Sequence, residues 1–309
     1  MKYSSIISDK IDVGLQAEND AGEDFFINKS KGFDFYSGYV MLKNAGIVKQ
    51  LILGDYTLQF GQGLMLWSGP SFGKANFTSA SKMPVGIKKY GSSGEIDFFR
   101  GGAVTFQIKK MEFTTFLSYK NIDARLLDTI SEGTRSFSSF LSTGFHRTPT
   151  EKLNEKSVKE MVMGSNVSVK WDNFHYGITL ARHSFDAYYS PPDQPYNAYT
   201  FRGKNITGAG TDFRWRLKKA LFFGELATGN KHLAGLAGVD FYPHSLISVS
   251  FIYRNLSPGY FARINNPFTE YSSKTMSREV TWLPQLHLLN SPDFRLMLMC
   301  LNHPGSGTM

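Results

Sequence analysis

The residues that could carry out chemistry in this chain are few and isolated. Gly69, Ser71 and Gly73 match the pattern G-x-S-x-G, in which a strained turn between a strand and a helix exposes a nucleophilic serine. The stretch after Gly73 is polar and shows no helical periodicity, so the context indicates a loop serine instead of a catalytic one. A hydrolase that uses Ser71 is therefore the most remote of the function classes considered.

Metal and cofactor chemistry has no candidate ligands in this sequence. The seven histidines form no His-x-x-x-His pair and no cluster with carboxylates at ligand spacing. The single cysteine, Cys300, excludes a disulfide framework and a site built from several thiolates. Gly61-Gln62-Gly63 lacks the third glycine and the following helix of a dinucleotide site, and no Walker pattern occurs. We predict no catalytic residue, no metal site and no cofactor.

Charged residues that share one face of an alternating segment are the stronger candidates. In segments 11–18, 211–218 and 246–254, apolar residues alternate with polar or charged ones, which puts the two kinds on opposite faces of a strand. The predicted lipid-facing residues are Phe213, Trp215, Val249, Phe251 and Tyr253. The predicted lumen-facing charges are Asp12, Glu18, Asp212, Arg214, Arg216, Lys218 and Arg254.

This alternation with period two recurs along the chain and sets the fold class. About eleven segments have the ~10-residue length that a tilted membrane strand requires. Short turns at 43–47, 109–110, 172–173, 218–219 and 242–245 alternate with long connections such as 61–96, 121–163 and 183–208. Only 229–232 is a short turn on the side of the long connections. The sequence thus predicts an all-β, antiparallel, up-and-down transmembrane β-barrel with long outer loops, in preference to a soluble all-β sandwich.

Two local features refine this prediction. Thr148, Pro149 and Glu151 have the spacing of a capping box with proline at the first helical position, which predicts one short loop helix to about Met161. Phe98 and Phe99 open a strand after a Gly/Ser loop, and we interpret them as part of an interfacial aromatic girdle, with Arg100 at headgroup level.

The ends of the chain depart from the barrel pattern. The first residues contain neither a continuous apolar stretch nor a cleavage site, and the last residue is Met309 instead of an aromatic residue. We expect barrel strands and loops over 1–274 and an irregular, truncated or frameshifted tail over 275–309. The expected location is the outer membrane, with the export signal missing and the barrel incomplete in this chain.

Several segments resemble a family of large Gram-negative outer-membrane proteins. They are Gly54 to Leu64 (GDYTLQFGQGL), Leu66 to Gly69 (LWSG), Phe98 to Gly101 (FFRG), Gly144 to Thr148 (GFHRT) and Asn266 to Phe268 (NPF). In that family, the barrel follows an N-terminal helix-hairpin-helix module similar to that of competence-type DNA receptors. The resemblance implies a barrel and a link to DNA handling. This chain lacks the module, so no DNA-contacting residue can be assigned to it.

Three function classes follow from these observations. The first is a non-enzymatic transport or uptake barrel, the second is a structural or adhesive barrel, and the third is the hydrolase using Ser71. The expected partners are outer-membrane lipid and, only through the absent module, DNA; no envelope protein partner is indicated. Because strand 11–18 is acidic and later strands are positive, the wall could orient a polyanion or hold a plug by salt bridges. A plugged, closed lumen is favoured over an open pore.

Overall fold

The computed structural model describes residues 1–18, 33, 35–69, 80–92, 96–130, 134–142, 144, 146–244, 247–267, 278–286 and 300–301. These residues are almost entirely in strands, with one α-helix, α1 (Pro149–Asn154), among them. The strands are β1 (Lys2–Ser8), β2 (Ile11–Glu18), β3 (Phe35–Ala45), β4 (Val48–Gln59), β5 (Gly86–Lys89), β6 (Phe99–Ile108), β7 (Met111–Ile122), β8 (Ala124–Ile130), β9 (Thr134–Phe140), β10 (Val158–Lys170), β11 (Phe174–Tyr189), β12 (Gly203–Leu217), β13 (Ala220–Gly229), β14 (His232–His244), β15 (Ile247–Leu256), β16 (Arg278–Leu286) and β17 (Cys300–Leu301).

The short turns fold as the sequence predicts. The hairpin between β3 and β4 closes across Gly46 and Ile47, since Ala45 pairs with Val48. The hairpins β6–β7 and β12–β13 turn at Lys109 and Lys218, whose φ angles are 54° and 46°. Positive φ matches the turn to the right-handed twist of the flanking strands, which explains why lysine adopts it here despite a small steric cost.

The strands pair in up-and-down order. Antiparallel ladders join β1, β2, β3 and β4, then β4 to β6 and β6 to β7, and further along the chain β12 through β16. This confirms the predicted fold class, an all-β, antiparallel, up-and-down arrangement of the β-barrel type with one short loop helix. Among the described ladders, β9 and β11 form the exception, pairing in parallel over two residues each.

Two compact units divide the chain. The first unit contains Met1–Leu58, Gly86–Asn166 and Ala181–Thr207, and the second contains Gln59–Val85, Val167–Leu180 and Gly208–Met309.

The long connections hold more regular structure than the sequence predicts. The capping box of α1 is present, with the Thr148 side chain accepting from the Glu151 N–H, but the helix ends at Asn154 instead of Met161. It ends there because β10 begins at Val158 and pairs with β7, so sheet pairing overrides the helical signal. The connection 121–163 also contains the β8–β9 hairpin.

The range that was expected to be irregular, 275–309, contains strand β16, which pairs with β15.

Alternate residues of the second unit divide between a buried and an exposed face. Four cross-strand neighbours, Asp212, Glu225, Leu236 and Arg254, form one buried row in which each side chain is at most 5% exposed. A row on the opposite face, three residues further along β12, contains Trp215, Phe222 and Phe251, which are 45%, 37% and 44% exposed. One face of these strands therefore buries charged side chains, and the opposite face exposes apolar rings.

The aromatic pair Phe98 and Phe99 does not form an exposed girdle. Both rings are buried, Phe98 against Phe35 and Tyr90, and Phe99 stacked on Tyr56. The interpretation of these two residues as interfacial was wrong, because the Gly/Ser stretch before them did not reveal their aromatic partners, which come from β3, from β4 and from the residue after β5.

Candidate functional site: an inner segment held by buried carboxylates

The stretch after β4 folds back as a tight loop that contains the end of the longest family-like motif. Gln59 bridges to Trp67, and the N–H of Phe60 donates to the carbonyl of Leu66 at 3.1 Å. Gly61 and Gly63 have φ angles of 62° and 88°, which glycine adopts at little cost. We call residues 59–69 and 80–85 together the inner segment.

The Glu225 side chain on β13 binds the backbone of this loop. Its carboxylate accepts the N–H groups of Gln62 at 2.5 Å, Leu64 at 3.0 Å and Met65 at 2.8 Å. Glu225 is 3% exposed, so these hydrogen bonds are shielded from water, which makes each of them electrostatically stronger than at the surface. A Cβ at Gly61 would lie 2.6 Å from a Glu225 carboxylate oxygen, which explains the glycine at that position.

A second carboxylate, that of Asp240 on β14, binds the other part of the inner segment. It accepts the N–H groups of Ala80 and Ser81, each at 3.1 Å, and the hydroxyl of Ser250 on β15 at 2.5 Å. Asp240 is fully buried. Two neighbouring strands therefore each contribute one buried acid that holds main-chain donors of the inner segment.

The residues after β15 cover the same loop from another side. The Tyr260 hydroxyl donates to the carbonyl of Leu64 at 2.8 Å, and the N–H of Asn266 donates to the carbonyl of Gly63 at 2.9 Å. Burial raises the pKa of the Tyr260 phenol, with a further contribution from the charge of Glu225, so the hydroxyl keeps the proton it donates.

Lys82 joins these pieces through its side chain and its backbone. Its N–H donates to the Gln62 side-chain oxygen at 2.8 Å, and its ammonium donates to the carbonyl of Asn266. The same ammonium lies 4.6 Å from the centroid of the Trp67 ring. An ammonium over an aromatic ring is attracted to the electron-rich face of that ring, so this contact also holds Lys82 against Trp67.

In the first unit, the buried acid Asp12 binds a residue of β5, the strand that follows the inner segment. Asp12 on β2 is 3% exposed and accepts the Lys89 ammonium of β5 at 2.8 Å and the Tyr39 hydroxyl at 3.1 Å. Lys43 lies farther away, 3.5 Å from the same carboxylate. Asp12 is one of the predicted lumen-facing charges, and its partner Lys89 is an ion-pair donor that the sequence did not indicate.

The other predicted charges differ in their surroundings. Asp212 is buried 3.2 Å from the His175 imidazole, and Arg254 is buried in the same cross-strand row as Glu225. Arg214 is half-buried and contacts the Met83 sulfur of the inner segment at 2.7 Å. Arg216 and Lys218 are exposed, and Glu18 is half-buried beside Gln16. The structure thus brings Arg214 close to the inner segment and leaves Arg216 and Lys218 away from it.

The two acids that hold the inner segment, Glu225 and Asp240, were missed. The signal for Glu225 is a single acid in a run that is otherwise without polar side chains, Ala220 to Ala227, at a position that alternation places on the same face as Leu221 and Phe223. Asp240 likewise lies at a position of β14 on the buried face.

Other chemistry has little to support it in the described part of the chain. Ser71 lies outside the described residues. Within the described ranges, no group of three or more His, Cys, Asp or Glu residues is arranged to hold a metal ion. No described helix combines the length and hydropathy needed to cross a membrane.

Comparisons with known proteins give matches among solved structures only. No protein family matches the chain, and no curated protein matches it. Membership of the helix-hairpin-helix family is therefore not supported beyond the resemblance of motifs. The similar solved structures include mutants of the porin of Rh. blastica. One has 11% identity and a TM-score of 0.28 over 82% of this chain and 83% of that chain, and another has 12% identity and a TM-score of 0.29 over 84% of each.

Proposed function

We propose that this protein is a non-enzymatic β-barrel of the outer membrane that serves transport or uptake. The observation that carries this proposal is the inverted distribution of polarity on its strands. Trp215, Phe222 and Phe251 form an exposed apolar row, whereas the opposite face buries Asp212 and Glu225. A water-soluble sheet would expose the charges, while a sheet in lipid exposes the apolar side chains.

The first unit has the same distribution. Leu15, Val40 and Leu53 are 62%, 50% and 56% exposed on β2, β3 and β4. Asp12 and Ser37, on the same two strands β2 and β3, are buried. Lipid contact would remove these apolar side chains from a polar solvent, with a gain of about 25 cal/mol per Å².

Fractionation of cells and gel mobility test this location. We expect the full-length protein in the outer-membrane fraction, and faster migration in SDS gels when unheated than when boiled. A protein that purifies as a soluble monomer without detergent would contradict the proposal.

Within this function, we propose that the inner segment closes the lumen. Its support is the pair of wall acids, Glu225 and Asp240, which bind five main-chain N–H groups of residues 62–81 between them. In this proposal, the predicted lumen-facing set lines that lumen: Asp12, Glu18, Asp212, Arg214, Arg216, Lys218 and Arg254.

The cargo that the motif resemblance suggests is DNA, handled together with a helix-hairpin-helix module of the kind found in the family it resembles. Deletion of the gene should reduce uptake of labelled DNA while leaving envelope integrity intact. Normal uptake with lost surface attachment would favour a structural or adhesive barrel, and hydrolase activity lost in Ser71→Ala would favour an enzyme.

A further inference from the structure

A groove of about 830 Å³ lies on the exposed face of the first unit. Its walls are Tyr3, Leu15 and Tyr36, side chains that are 61%, 62% and 55% exposed. Its floor includes Gly38, directly opposite Leu15 in the β2–β3 ladder. A Cβ at Gly38 would lie 2.9 Å from the Leu15 side chain, so the glycine keeps this space open.

An arginine stands beside this apolar groove. Arg100 donates from Nε and one terminal nitrogen to the Asp55 carboxylate at 2.7 and 2.9 Å, and from that terminal nitrogen to the Tyr36 carbonyl at 2.7 Å. Three of its five N–H donors are thereby used, and no hydrogen bond among the described residues uses the other terminal nitrogen. The Arg100 side chain is 45% exposed, while that of Asp55 is 2% exposed.

The position along the strands places this guanidinium near a rim. Arg100 is the second residue of β6 and Tyr36 the second residue of β3, at the strand ends farthest from the short turns at Lys109 and Gly46. If the strands cross a membrane, as the proposed function holds, the guanidinium lies near headgroup level, and the groove extends from it along the exposed side of β1, β2 and β3.

We propose that this groove binds a phosphorylated, anionic lipid of the outer membrane. The acyl chain lies along Tyr3, Leu15 and Tyr36, over Gly38. The phosphate accepts a hydrogen bond from the other terminal nitrogen of Arg100, whose guanidinium is held in place by Asp55. This inference rests on the proposed membrane location, and it adds a binding site to it.

Native mass spectrometry of the full chain in a neutral detergent tests the site. The probes are diphosphorylated lipid A and its phosphate-free counterpart with the same acyl chains. We expect at least tenfold tighter binding of the phosphorylated lipid. Gly38→Val fills the groove and should weaken that binding at least tenfold.

Two further variants make the result specific. Gly235→Val is the matched control, because Gly235 also lies directly opposite an exposed leucine, Leu226, which a Cβ would approach to 3.1 Å. It should leave binding unchanged. Arg100→Gln combined with Asp55→Asn removes the guanidinium without stranding a buried carboxylate, and should abolish the preference for phosphate.

Equal affinity for the two lipids, or undiminished binding by Gly38→Val, would overturn the inference. The difference in gel mobility between unheated and boiled protein is followed in the same samples. A protein that keeps this difference but shows no phosphate preference refutes the lipid site alone, whereas a protein that is soluble without detergent refutes the membrane location and the site with it.

Discussion

At the scale of single residues, the Glu225 carboxylate is the most sharply testable group. Replacing it by the isosteric amide in Glu225→Gln leaves one acceptor oxygen where three N–H donors converge, and turns an NH₂ group toward at least one of them. We expect the free energy of unfolding in detergent to fall by about 3 kcal/mol, as for a buried charged acceptor lost from its donors.

The control for this change is Glu112→Gln. Glu112 also lies on a strand, β7, but it pairs with Lys49, whose side chain is 36% exposed. Such a partly exposed pair contributes at most about 1 kcal/mol. Similar losses in the two variants would show that Glu225 has no special role.

The assignment of faces is also a property of single residues. Phe251 lies in the middle of β15, on the exposed face, and Asn255 has the same parity near the end of the strand. We expect Phe251→Arg to cost about 2–4 kcal/mol and Asn255→Arg about 0–1 kcal/mol, since the penalty for arginine on a lipid face falls toward the interface. Unfolding titrations in lipid vesicles measure both, and equal costs would show that the face does not contact a membrane interior.

At the scale of elements, a loop acid binds the residues on both sides of α1. Asp123, between β7 and β8, accepts the N–H of Lys156 at 2.7 Å and lies 2.9 Å from the His146 ring nitrogen. Burial acts to raise the pKa of Asp123, but the hydrogen bonds from His146 and Lys156 outweigh it, and the pKa is below its ordinary value.

The sign of the resulting pH dependence follows. Because the folded pKa lies below the unfolded one, the stabilisation is complete above an ordinary aspartate pKa of about 3.9 and is lost as the pH falls through the lower, folded value. We expect the hydrogen-exchange protection of the Lys156 amide, corrected for intrinsic rates, to fall between pH 5 and pH 2. Asp123→Asn should remove this pH dependence, and a fall of the same size in the variant would assign it to another group.

How far the sequence predicts the elements depends on how local their causes are. The turns at Lys109 and Lys218 and the capping box at Thr148 depend on residues within a few positions, and they were predicted correctly. The end of α1 and the buried surroundings of Phe98 depend on strands distant in the chain, and both were predicted wrongly. The predicted charge Asp12 was placed on its strand face from alternation, but alternation contains no information on its partner Lys89.

At the scale of the whole molecule, closure by the inner segment predicts an electrical property. The full-length protein in planar bilayers should show negligible current. The double variant Glu225→Gln with Asp240→Asn should show larger and more frequent openings, because both anchors of the inner segment lose their charge. Glu112→Gln serves again as the control and should behave as the unaltered protein does. A large, steady current from the unaltered protein would refute closure.

The two anchors are separated from the groups they hold by long stretches of chain. Glu225 lies 163 residues after Gln62, and Asp240 lies 160 residues after Ala80. During synthesis, the inner segment is therefore made long before the two carboxylates that hold it. Bringing them together costs the entropy of closing a very long loop of chain. Assembly of β13 and β14 is thus the step at which the interior can become ordered, and a folding intermediate halted before those strands would have its loop unanchored.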